Sequence, residues 1–363
     1  MSLDDERRRI DAIDDALLEL LDERAKVARA IGQQKARAGI DAHDPARELA
    51  LLARLEAQVA ARAEPNFPTH AVRPVFREII SACLSQQLEL EVAFLGPPGT
   101  FTHMAAQSAF GLAPRYQELA TIGAVFDAVE RGHARYGVVP IENSTEGGVT
   151  FTLDELVGRA VRIWGEVVVD VAHCLLRERG DLTGIERVYS HPQALAQCRA
   201  WLGKNLPAAE LVPAASTAAA ARQARGDPAG AAIASRLSAE LEGLGVVRAP
   251  VQDRTQNATR FAILALEEHP PTGDDKTSIV YSLKHERGAL RATLALLEAR
   301  GLNLTRIESR PHPERLWEYL FFTDFEGHSS DPEVGAAIAA LAELSPSVKV
   351  IGSYPRARPP GRP

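Results

Sequence analysis

The first 88 residues differ in pattern from the rest of the chain, and this difference constrains the fold more than any other feature. Helical periodicity runs from about Asp4 to Arg37, from Pro45 to just before Pro65, and from Thr69 to Leu88, with no strand pattern between. At about 1.5 Å per residue the first helix would be roughly 50 Å long, which exceeds most globular helices. The sequence therefore predicts an all-helical domain at residues 1–90.

Beyond Glu91 short apolar runs alternate with helical segments. The first such run is Val92–Leu95, and helical patterns at 122–130, 192–202 and 217–225 separate the later ones. This alternation predicts an α/β domain at residues 91–268 with a largely parallel sheet and crossover helices. The segment 269–275 is rich in Pro and Gly and is typical of a linker.

Residues 275–353 show a βαββαβ order, which predicts an α+β module of ferredoxin-like type. The predicted strands are 276–283, 302–309, 316–325 and 348–351, and the predicted helices are 288–300 and 331–344. The remaining residues, 354–363, are rich in Pro and Arg, so we expect a disordered tail.

Composition excludes several classes of protein. The formal net charge of -7 gives a nucleic-acid role no general electrostatic support. No run approaches about 20 apolar residues, and the polar start does not resemble a signal peptide, so neither a membrane span nor export is expected. Cys83, Cys174 and Cys198 lack the spacing of a metal site or a disulfide framework. We expect a cytoplasmic protein without metal or cofactor.

One face of the first helix carries charges where a packed helix would carry apolar residues. In heptads, Arg7, Lys35 and Arg24 fall on the seam that also holds leucine and isoleucine. A buried cation without a partner is costly, so the seam predicts an anionic ligand. A salt bridge near a helix end is an alternative explanation for Arg7 and Lys35, but Arg24 lies in mid-helix. With Asp44, Arg47, Glu48 and Gln87 these residues predict a polar pocket suited to a small dianion.

These residues and helix lengths resemble the all-helical class of chorismate mutase over residues 3–88. The resemblance implies an intertwined dimer in which Arg7 reaches the active site of the partner. Lys35 and Gln87 would donate hydrogen bonds to the ether oxygen of the substrate. The other residues implied to bind substrate are Arg7, Arg24, Asp44, Arg47, Glu48 and Cys83.

The implied roles agree with the chemistry of a [3,3] rearrangement. The three arginines would bind the two carboxylates, Glu48 would hold the ring hydroxyl, and Asp44 would help to position these groups. The reaction needs no nucleophile, only a substrate held in a reactive conformer with positive donors at the breaking C–O bond. Cys83 stands where the class often has Ser, and a thiol is the weaker donor.

Four loops follow or open predicted strands in the second domain: Gly96–His103, Pro140–Ser144, Ser190–Gln193 and Thr259–Phe261. Open α/β sheets bind ligands at strand ends. Each loop alone has an ordinary explanation as a turn, a helix cap or a structural histidine. In this order, over residues 91–267, they resemble prephenate dehydratase. The resemblance implies two lobes like those of periplasmic binding proteins, with 91–170 and 246–267 in the first and substrate between them.

The resemblance implies that the hydroxyl of Thr259 protonates or stabilises the leaving hydroxide of the substrate. Arg260 would add positive potential, and Gln256 and Asn257 would shape the loop before Thr259. The residues implied to bind the dehydratase substrate are Thr100, Asn143, Ser144, Ser190, His191, Gln193, Thr217, Arg260 and Phe261.

The last module resembles an ACT domain, a small amino-acid sensor. Gly288–Leu290 opens its first helix and Glu308–Pro311 closes its second strand, although Arg291 stands where the family is usually apolar. An ordinary helix start and strand end remain the alternative. The resemblance implies phenylalanine bound between two ACT domains, by Gly288, Ala289, Leu290, Asn303, Leu304, Glu308, Ser309, Arg310 and Pro311.

Together the three resemblances imply an enzyme that converts chorismate to prephenate and prephenate to phenylpyruvate, under feedback control by phenylalanine. They imply a homo-oligomer, at least a dimer. Two alternatives stay open: a solute-binding or sensor protein that does no chemistry, and a dehydratase that uses arogenate instead of prephenate.

Overall fold

The computed structural model describes residues 2–357 except 63, 65, 255, 285, 313, 314, 316 and 317. The chain divides into two compact units. The first comprises Met1–Glu91 and Gln107–Arg115, and the second comprises Val92–Ala106 and Tyr116–Pro363.

The first unit is built from three helices: α1 (Leu3–Ala38), α2 (Pro45–Ala60) and α3 (Thr69–Leu84). Helix α1 begins with a capping box, in which the Ser2 hydroxyl accepts from the Asp5 N–H and the Asp5 carboxylate accepts from the Ser2 N–H. It ends at Gly39, whose φ of 66° favours glycine. The all-helical prediction is confirmed.

Helix α3 is shorter than the helical pattern over Thr69–Leu88 predicted. It ends at Leu84, and Gln87 lies in the turn that follows, where its N–H donates to the Leu84 carbonyl. The placement of Gln87 on the helix was therefore wrong. The sequence offered no Gly or Pro after Leu84 to mark the end.

The second unit begins with one lobe of an α/β domain. Its first elements are β1 (Glu91–Leu95), α4 (Phe101–Phe110), β2 (Arg115–Leu119), α5 (Ile122–Glu130), β3 (Tyr136–Asn143), β4 (Gly147–Gly148), α6 (Thr150–Gly158) and β5 (Arg162–Asp170). Strands β1 and β3 are parallel. Helices α5 and α6 cover the sheet with Val125, Phe126 and Leu153.

The chain then builds a second lobe. Its elements are β6 (Cys174–Arg177), β7 (Arg187–Ser190), α7 (Pro192–Gln197), α8 (Arg199–Asn205), β8 (Glu210–Pro213), α9 (Thr217–Arg225), β9 (Gly230–Ala234), α10 (Arg236–Glu242) and β10 (Gly245–Arg248). The strand order is β10-β6-β9-β7-β8. Strand β10 pairs with β6 in this sheet, so the expected return to the first lobe at residue 246 was wrong.

The return is made by β11 (Ala258–Ala265), which enters the first sheet between β3 and β5 and is antiparallel to both. The order of that sheet is β2-β1-β3-β11-β5, with β4 paired to β3. The predicted largely parallel arrangement holds for β1, β3 and β5, which run in one direction. It fails for β11, which arrives from the second lobe rather than over a crossover helix. The two-lobed α/β fold is confirmed.

The last domain has the predicted βαββαβ order: β12 (Asp275–Ser282), α11 (Ala289–Ala299), β13 (Leu304–Pro311), β14 (Tyr319–Glu326), α12 (Pro332–Leu344) and β15 (Val348–Pro355). Its antiparallel sheet has the order β13-β14-β12-β15. Strand β15 occupies the first residues of the expected tail, of which 358–363 lie outside the described residues, as do 316 and 317 of the predicted third strand.

Strand β12 of this last domain is buried on both faces, whereas the edge strand β13 has exposed residues on one face. One face of the sheet packs against α11 and α12 through residues such as Tyr281 and Leu297. The other face packs on the first lobe, where Phe322 and Tyr354 share a hydrophobic core with Ala262 of β11.

Candidate functional site

Polar side chains from all three helices of the first unit are held by specific partners. Arg24 of α1 donates to the Ile79 carbonyl at 3.5 Å, and Lys35 donates to the Ala42 carbonyl at 3.0 Å. Glu48 of α2 is largely buried. It forms an ion pair with Arg77, and His43 Nε2 lies 3.6 Å from its carboxylate. The sequence had singled out neither Arg77 nor His43.

Gln87 is half-buried, and its side-chain oxygen is fully enclosed. Its Oε1 is buried and has no hydrogen-bond partner among the described residues. Helix α1 approaches it at Gly32, where an added Cβ would lie 2.7 Å from Cγ of Gln87. A glycine within a helix is costly, and at Gly32 the close approach explains it. A buried acceptor without a donor is typical of a site that a ligand completes.

Of the other predicted mutase residues, Arg7, Asp44 and Arg47 are exposed on this unit. Arg7 is exposed and pairs with Asp4 at 3.4 Å. Asp44 caps α2 by accepting from the Arg47 N–H at 3.1 Å, and the Arg47 side chain is exposed. Cys83 is buried. No described contact joins Arg24, Lys35, Glu48 and Gln87 to one another or brings Arg7 to them.

In the second unit Thr259 and Asn143 face each other across β11 and β3. Asn143 Nδ2 donates to Thr259 Oγ1 at 2.8 Å and to Asn257 Oδ1 at 3.1 Å. Asn143 Oδ1 accepts from the Thr145 N–H at 2.9 Å. These partners fix the orientation of the amide and direct a hydrogen bond at the threonine oxygen.

A hydrogen-bonded chain continues from this pair into the second lobe. Asn257 Nδ2 donates to Gln197 Oε1 at 3.1 Å, and Gln197 Nε2 donates to the Glu146 carboxylate at 3.1 Å. Gln193 also donates to Glu146. The carboxylate accepts only, so it fixes the direction of every bond in the chain. Gln193 and Asn257 were predicted from the sequence. Gln197 and Glu146 were not, because neither residue belongs to a recognisable motif.

His173 joins the same chain from the second lobe. Its Nε2 lies 2.9 Å from Gln197 Oε1, so Nε2 carries the proton and donates. Burial lowers the pKa of His173 below the ordinary value, and the hydrogen bond to Gln197 only partly opposes this. The buried ring is therefore neutral, and Nδ1 has no hydrogen-bond partner among the described residues.

The remaining predicted dehydratase residues have mostly local roles. The Thr100 hydroxyl donates to the Leu95 carbonyl at 3.4 Å, and Ser190 is buried and donates to the Ile233 carbonyl at 2.6 Å. His191 caps α7, and Thr217 is the first residue of α9. Ser144 accepts from the Ala258 N–H at 3.0 Å, which ties its loop to the start of β11.

Arg260 and Phe261 differ in which side of β11 they occupy. Side chains alternate along a strand, so Phe261 shares the side of Thr259 and Arg260 points to the opposite side. Phe261 is buried, and Arg260 pairs with Glu142 at 3.1 Å and with Asp324 at 3.3 Å. The structure thus holds Arg260 in ion pairs and does not bring it to Thr259 Oγ1.

The predicted effector residues lie at two places in the last domain. Gly288 has a φ of 84° and precedes α11, whose first turn holds Ala289 and Leu290. Leu304 begins β13, with Asn303 just before it. The final residues of β13 are Glu308, Ser309, Arg310 and Pro311.

Two side chains near the end of β13 face the first lobe. Arg310 pairs with Asp154 at 3.3 Å. Glu308 pairs with Arg306 and lies so close to Gly148 that a Cβ there would come within 2.2 Å of its carboxylate. The strand that carries the predicted effector motif therefore contacts the lobe that carries Thr259.

Neither a metal site nor a membrane segment is found in the described part of the chain. The described residues contain no group of three or more His, Cys, Asp or Glu able to hold a metal ion. None of the described helices combines the length and the apolar character needed to cross a membrane.

Comparison with known proteins extends over the whole architecture. Family models match in order: chorismate mutase type II at residues 6–88, prephenate dehydratase at 92–269 and the ACT domain at 277–343. The bifunctional chorismate mutase/prephenate dehydratase of Aquifex aeolicus is 44% identical over 97% of this chain and 97% of its own length. That of Neisseria gonorrhoeae is 43% identical over 97% of this chain and 96% of its own.

A solved structure supports the second unit. The prephenate dehydratase of Arthrobacter aurescens, solved in complex with L-Phe, has a TM-score of 0.68 and 38% identity, covering 74% of this chain and 90% of that chain. The order of the matches and the coverage of the relatives leave no domain of the chain unassigned. The chain belongs to the family of bifunctional chorismate mutase/prephenate dehydratases with a C-terminal ACT domain, and it carries both activities.

Proposed function

We propose that Thr259 supplies the hydrogen bond that lets prephenate lose its ring hydroxyl. The hydrogen bond from Asn143 Nδ2 to Thr259 Oγ1 at 2.8 Å is the observation that carries this proposal. Because the amide uses a lone pair of the threonine oxygen, the hydroxyl proton is free to point at substrate. A hydroxyl that accepts a hydrogen bond is also a better donor, since such bonds strengthen one another in a shielded site.

The reaction places its greatest demand at this hydroxyl. As the bond to the departing carboxylate breaks, its electron pair completes the aromatic ring and the C–O bond to the hydroxyl breaks. Carbon dioxide and hydroxide leave, so a hydrogen-bond donor must stabilise the negative oxygen until a proton from solvent completes a water molecule. A positioned donor that acts as the charge develops lowers this barrier. Gln193, Ser144 and Thr100 are proposed to hold the carboxylates and the keto group.

For the mutase we propose that Arg24 and Arg47 bind the substrate carboxylates and that Lys35 and Gln87 meet the ether oxygen. Gln87 would donate through its Nε2, because its Oε1 and the ether oxygen are both acceptors. Glu48 is proposed to hold the ring hydroxyl, and Arg77 and His43 keep it in place. Asp44 positions the start of α2, and Cys83 lines the core beside the site.

We further propose that the protein is a homodimer through α1. None of the side chains of this 36-residue helix is buried, and Ile10, Ile13, Leu17 and Leu18 are more than half exposed. A helix of about 54 Å gains most of its stability from packing an apolar stripe. A second copy supplies that packing and brings Arg7 of each chain toward the other's pocket.

Phenylalanine is the proposed feedback inhibitor, bound between two ACT domains. The relative from Arthrobacter aurescens was solved with L-Phe, which supports this effector. The residues proposed to form the site are Gly288, Ala289, Leu290, Asn303, Leu304, Glu308, Ser309, Arg310 and Pro311. We propose a cytoplasmic location, which the three free and buried cysteines support.

One assay tests the substrate and the effector together. Purified protein is supplied with chorismate, prephenate or arogenate, each with and without phenylalanine, and the product is measured. We expect chorismate and prephenate to give phenylpyruvate, arogenate to react poorly, and phenylalanine to slow only the dehydratase step. Faster turnover of arogenate than of prephenate would reassign the substrate, and a lack of response to phenylalanine would remove the proposed effector.

A further inference from the structure

A cluster of charged side chains joins the ACT domain to the two strands that hold Thr259 and Asn143. It contains three cations and four carboxylates: Arg260, Lys276, Arg306, Glu142, Glu166, Asp324 and Glu308. Lys276, Arg306, Asp324 and Glu308 belong to the ACT domain, and the other three belong to the first lobe. The cluster lies on the face of the first sheet that packs against the ACT sheet, opposite the side of Thr259.

The ACT domain supplies a buried counter-charge for Arg260. The side chain of Asp324 is 4% exposed, and its carboxylate lies 3.3 Å from Arg260 and 3.7 Å from Lys276. Lys276 Nζ lies 2.7 Å from Glu166, whose side chain is 5% exposed. Burial disfavours the charge of Arg260, but the fields of Glu166, Glu142 and Asp324 outweigh it and raise the pKa of Arg260.

The register of the first sheet places this ion cluster next to the Thr259–Asn143 pair. Arg260 is the cross-strand partner of Glu142, and Thr259 is the cross-strand partner of Asn143. A β-bulge follows directly, between Arg260 and Phe261. The two pairs are therefore consecutive rungs. The Thr259–Asn143 rung is held on one side by hydrogen bonds between Ser144 and Ala258 and on the other by the Arg260–Glu142 rung, beyond which the ladder is irregular.

We propose that Asp324 is a positioning residue for the dehydratase reaction. Together with Lys276 it holds the Arg260–Glu142 pair, and this pair sets the distance between Thr259 Oγ1 and Asn143 Nδ2 on the neighbouring rung. The proposal rests on the role proposed for Thr259. Removing one partner from a buried ion cluster leaves an uncompensated charge that must rearrange. A small displacement of a catalytic group is enough to slow a reaction markedly.

The link reaches the predicted effector motif as well. Arg306 Nε lies 3.6 Å from Glu142, and the same guanidinium pairs with Glu308. Glu142 is thus held from two sides, by Arg260 of its own lobe and by Arg306 of the ACT domain. A change in the charge or position of Glu308 would therefore act, through Arg306, on Glu142, which is next to Asn143 in the chain.

Asp324→Asn tests the proposal, because it removes the charge and keeps the size and the Oδ1 that accepts from Ser278 at 2.7 Å. We expect kcat for prephenate to fall by about ten- to a hundredfold while KM changes by less than about twofold. Mutase activity of the same preparation should not change, and the melting temperature of the second unit, which holds Asp324, reports that this unit is folded. The matched control is Glu326→Gln, on the same strand but paired with the exposed Arg356, which should retain its kcat.

A second background separates positioning from a general loss of stability. If Asp324 acts through Thr259, Asp324→Asn should cost little in a Thr259→Ala enzyme whose residual turnover no longer depends on that hydroxyl. An equal loss in both backgrounds overturns the positioning role, as does an unchanged kcat in Asp324→Asn alone. Unchanged turnover in Thr259→Ala would instead remove the role proposed for Thr259. If Asp324→Asn does not fold, Asp324→Glu gives the same comparison with the charge displaced by one methylene.

Discussion

Asn143 donates to Thr259 Oγ1, and its side-chain amide cannot flip by 180° without losing other hydrogen bonds. Its Nδ2 also donates to Asn257, and its Oδ1 accepts from the Thr145 N–H. A rotated amide would place its oxygen against Asn257 Oδ1 and its nitrogen against a backbone N–H, which loses both bonds. The direction of the bond to Thr259 is therefore fixed by Asn257 and Thr145, which lie on two separate loops.

Thr259→Ala should lower dehydratase kcat by about a hundred- to ten-thousandfold, the usual range for removing a positioned proton donor. Thr259→Ser keeps the hydroxyl and should retain most of the turnover. The measurement is the appearance of phenylpyruvate from prephenate, with mutase activity as the internal control. Equal activities in the alanine and serine variants would contradict the role of the hydroxyl.

Asn143→Asp should impair the dehydratase even though it preserves shape. A carboxylate accepts hydrogen bonds and cannot donate one, so the Thr259 proton would turn toward it and away from substrate. We expect a loss of kcat of about a hundredfold or more, comparable to that of Thr259→Ala. Steady-state kinetics with prephenate measure this. Wild-type kcat in the aspartate variant would mean that the direction of this bond is irrelevant.

Gly148→Ala should affect regulation more than stability. The added methyl group would come within 2.2 Å of the Glu308 carboxylate, which is the free end of a flexible side chain and can move. We expect the melting temperature to stay within a few degrees, at a cost of about 1 kcal/mol or less. The inhibition constant for phenylalanine should rise several-fold. The control is Gly158→Ala, because a methyl group at Gly158 meets no neighbouring atom. Gly147→Ala would be a poor control, because the φ of 83° at Gly147 is strained for alanine.

Lys35→Ala and Arg24→Ala should each abolish mutase activity and leave dehydratase activity near normal. Both remove positive charge from the pocket in the first unit, where the rearranging substrate needs it. Lys26→Ala is the matched control, because Lys26 lies on the same helix but is 70% exposed and pairs with Asp22. Loss of both activities in Lys35→Ala or Arg24→Ala would indicate unfolding rather than a local effect.

Acid should destabilise the protein through His173 and His103. Burial lowers the pKa of each below the ordinary 6.5, so the unfolded chain takes up a proton before the folded one does. The free energy of unfolding should therefore fall as the pH drops below about 6.5, by at most about 1.4 kcal/mol per pH unit for each histidine. Chemical denaturation between pH 5 and pH 8, as round limits on the titration range of histidine, measures this.

His173→Gln keeps a donor toward Gln197 and cannot take up the proton, so the slope below pH 6.5 should become shallower in this variant. An unchanged slope would assign the pH dependence to other groups.

The three domains were predicted from their different periodicities, and a mutase pocket was predicted because Arg24 interrupts an apolar seam. The partners of Arg260 could not be predicted from the sequence. The residue lies within a motif, and only the packing of the ACT sheet on the first lobe reveals that its partners are Glu142 and Asp324. The same holds for Gln197, whose bonds to Glu146 and Asn257 are made across lobes. Strand direction was missed for β11 because a single strand carries no signal of the direction in which it is inserted.

The core shared by Ala262, Phe322 and Tyr354 has a practical consequence for anyone who shortens the chain. A truncation after residue 268 would remove the apolar layer that covers one face of the first lobe and leave that face in water. We expect such a fragment to aggregate or to need surface redesign, and an ACT domain transplanted from elsewhere to fail unless its outer face is rebuilt to fit. The ACT domain therefore completes the hydrophobic core of the catalytic lobe and cannot be exchanged as an independent module.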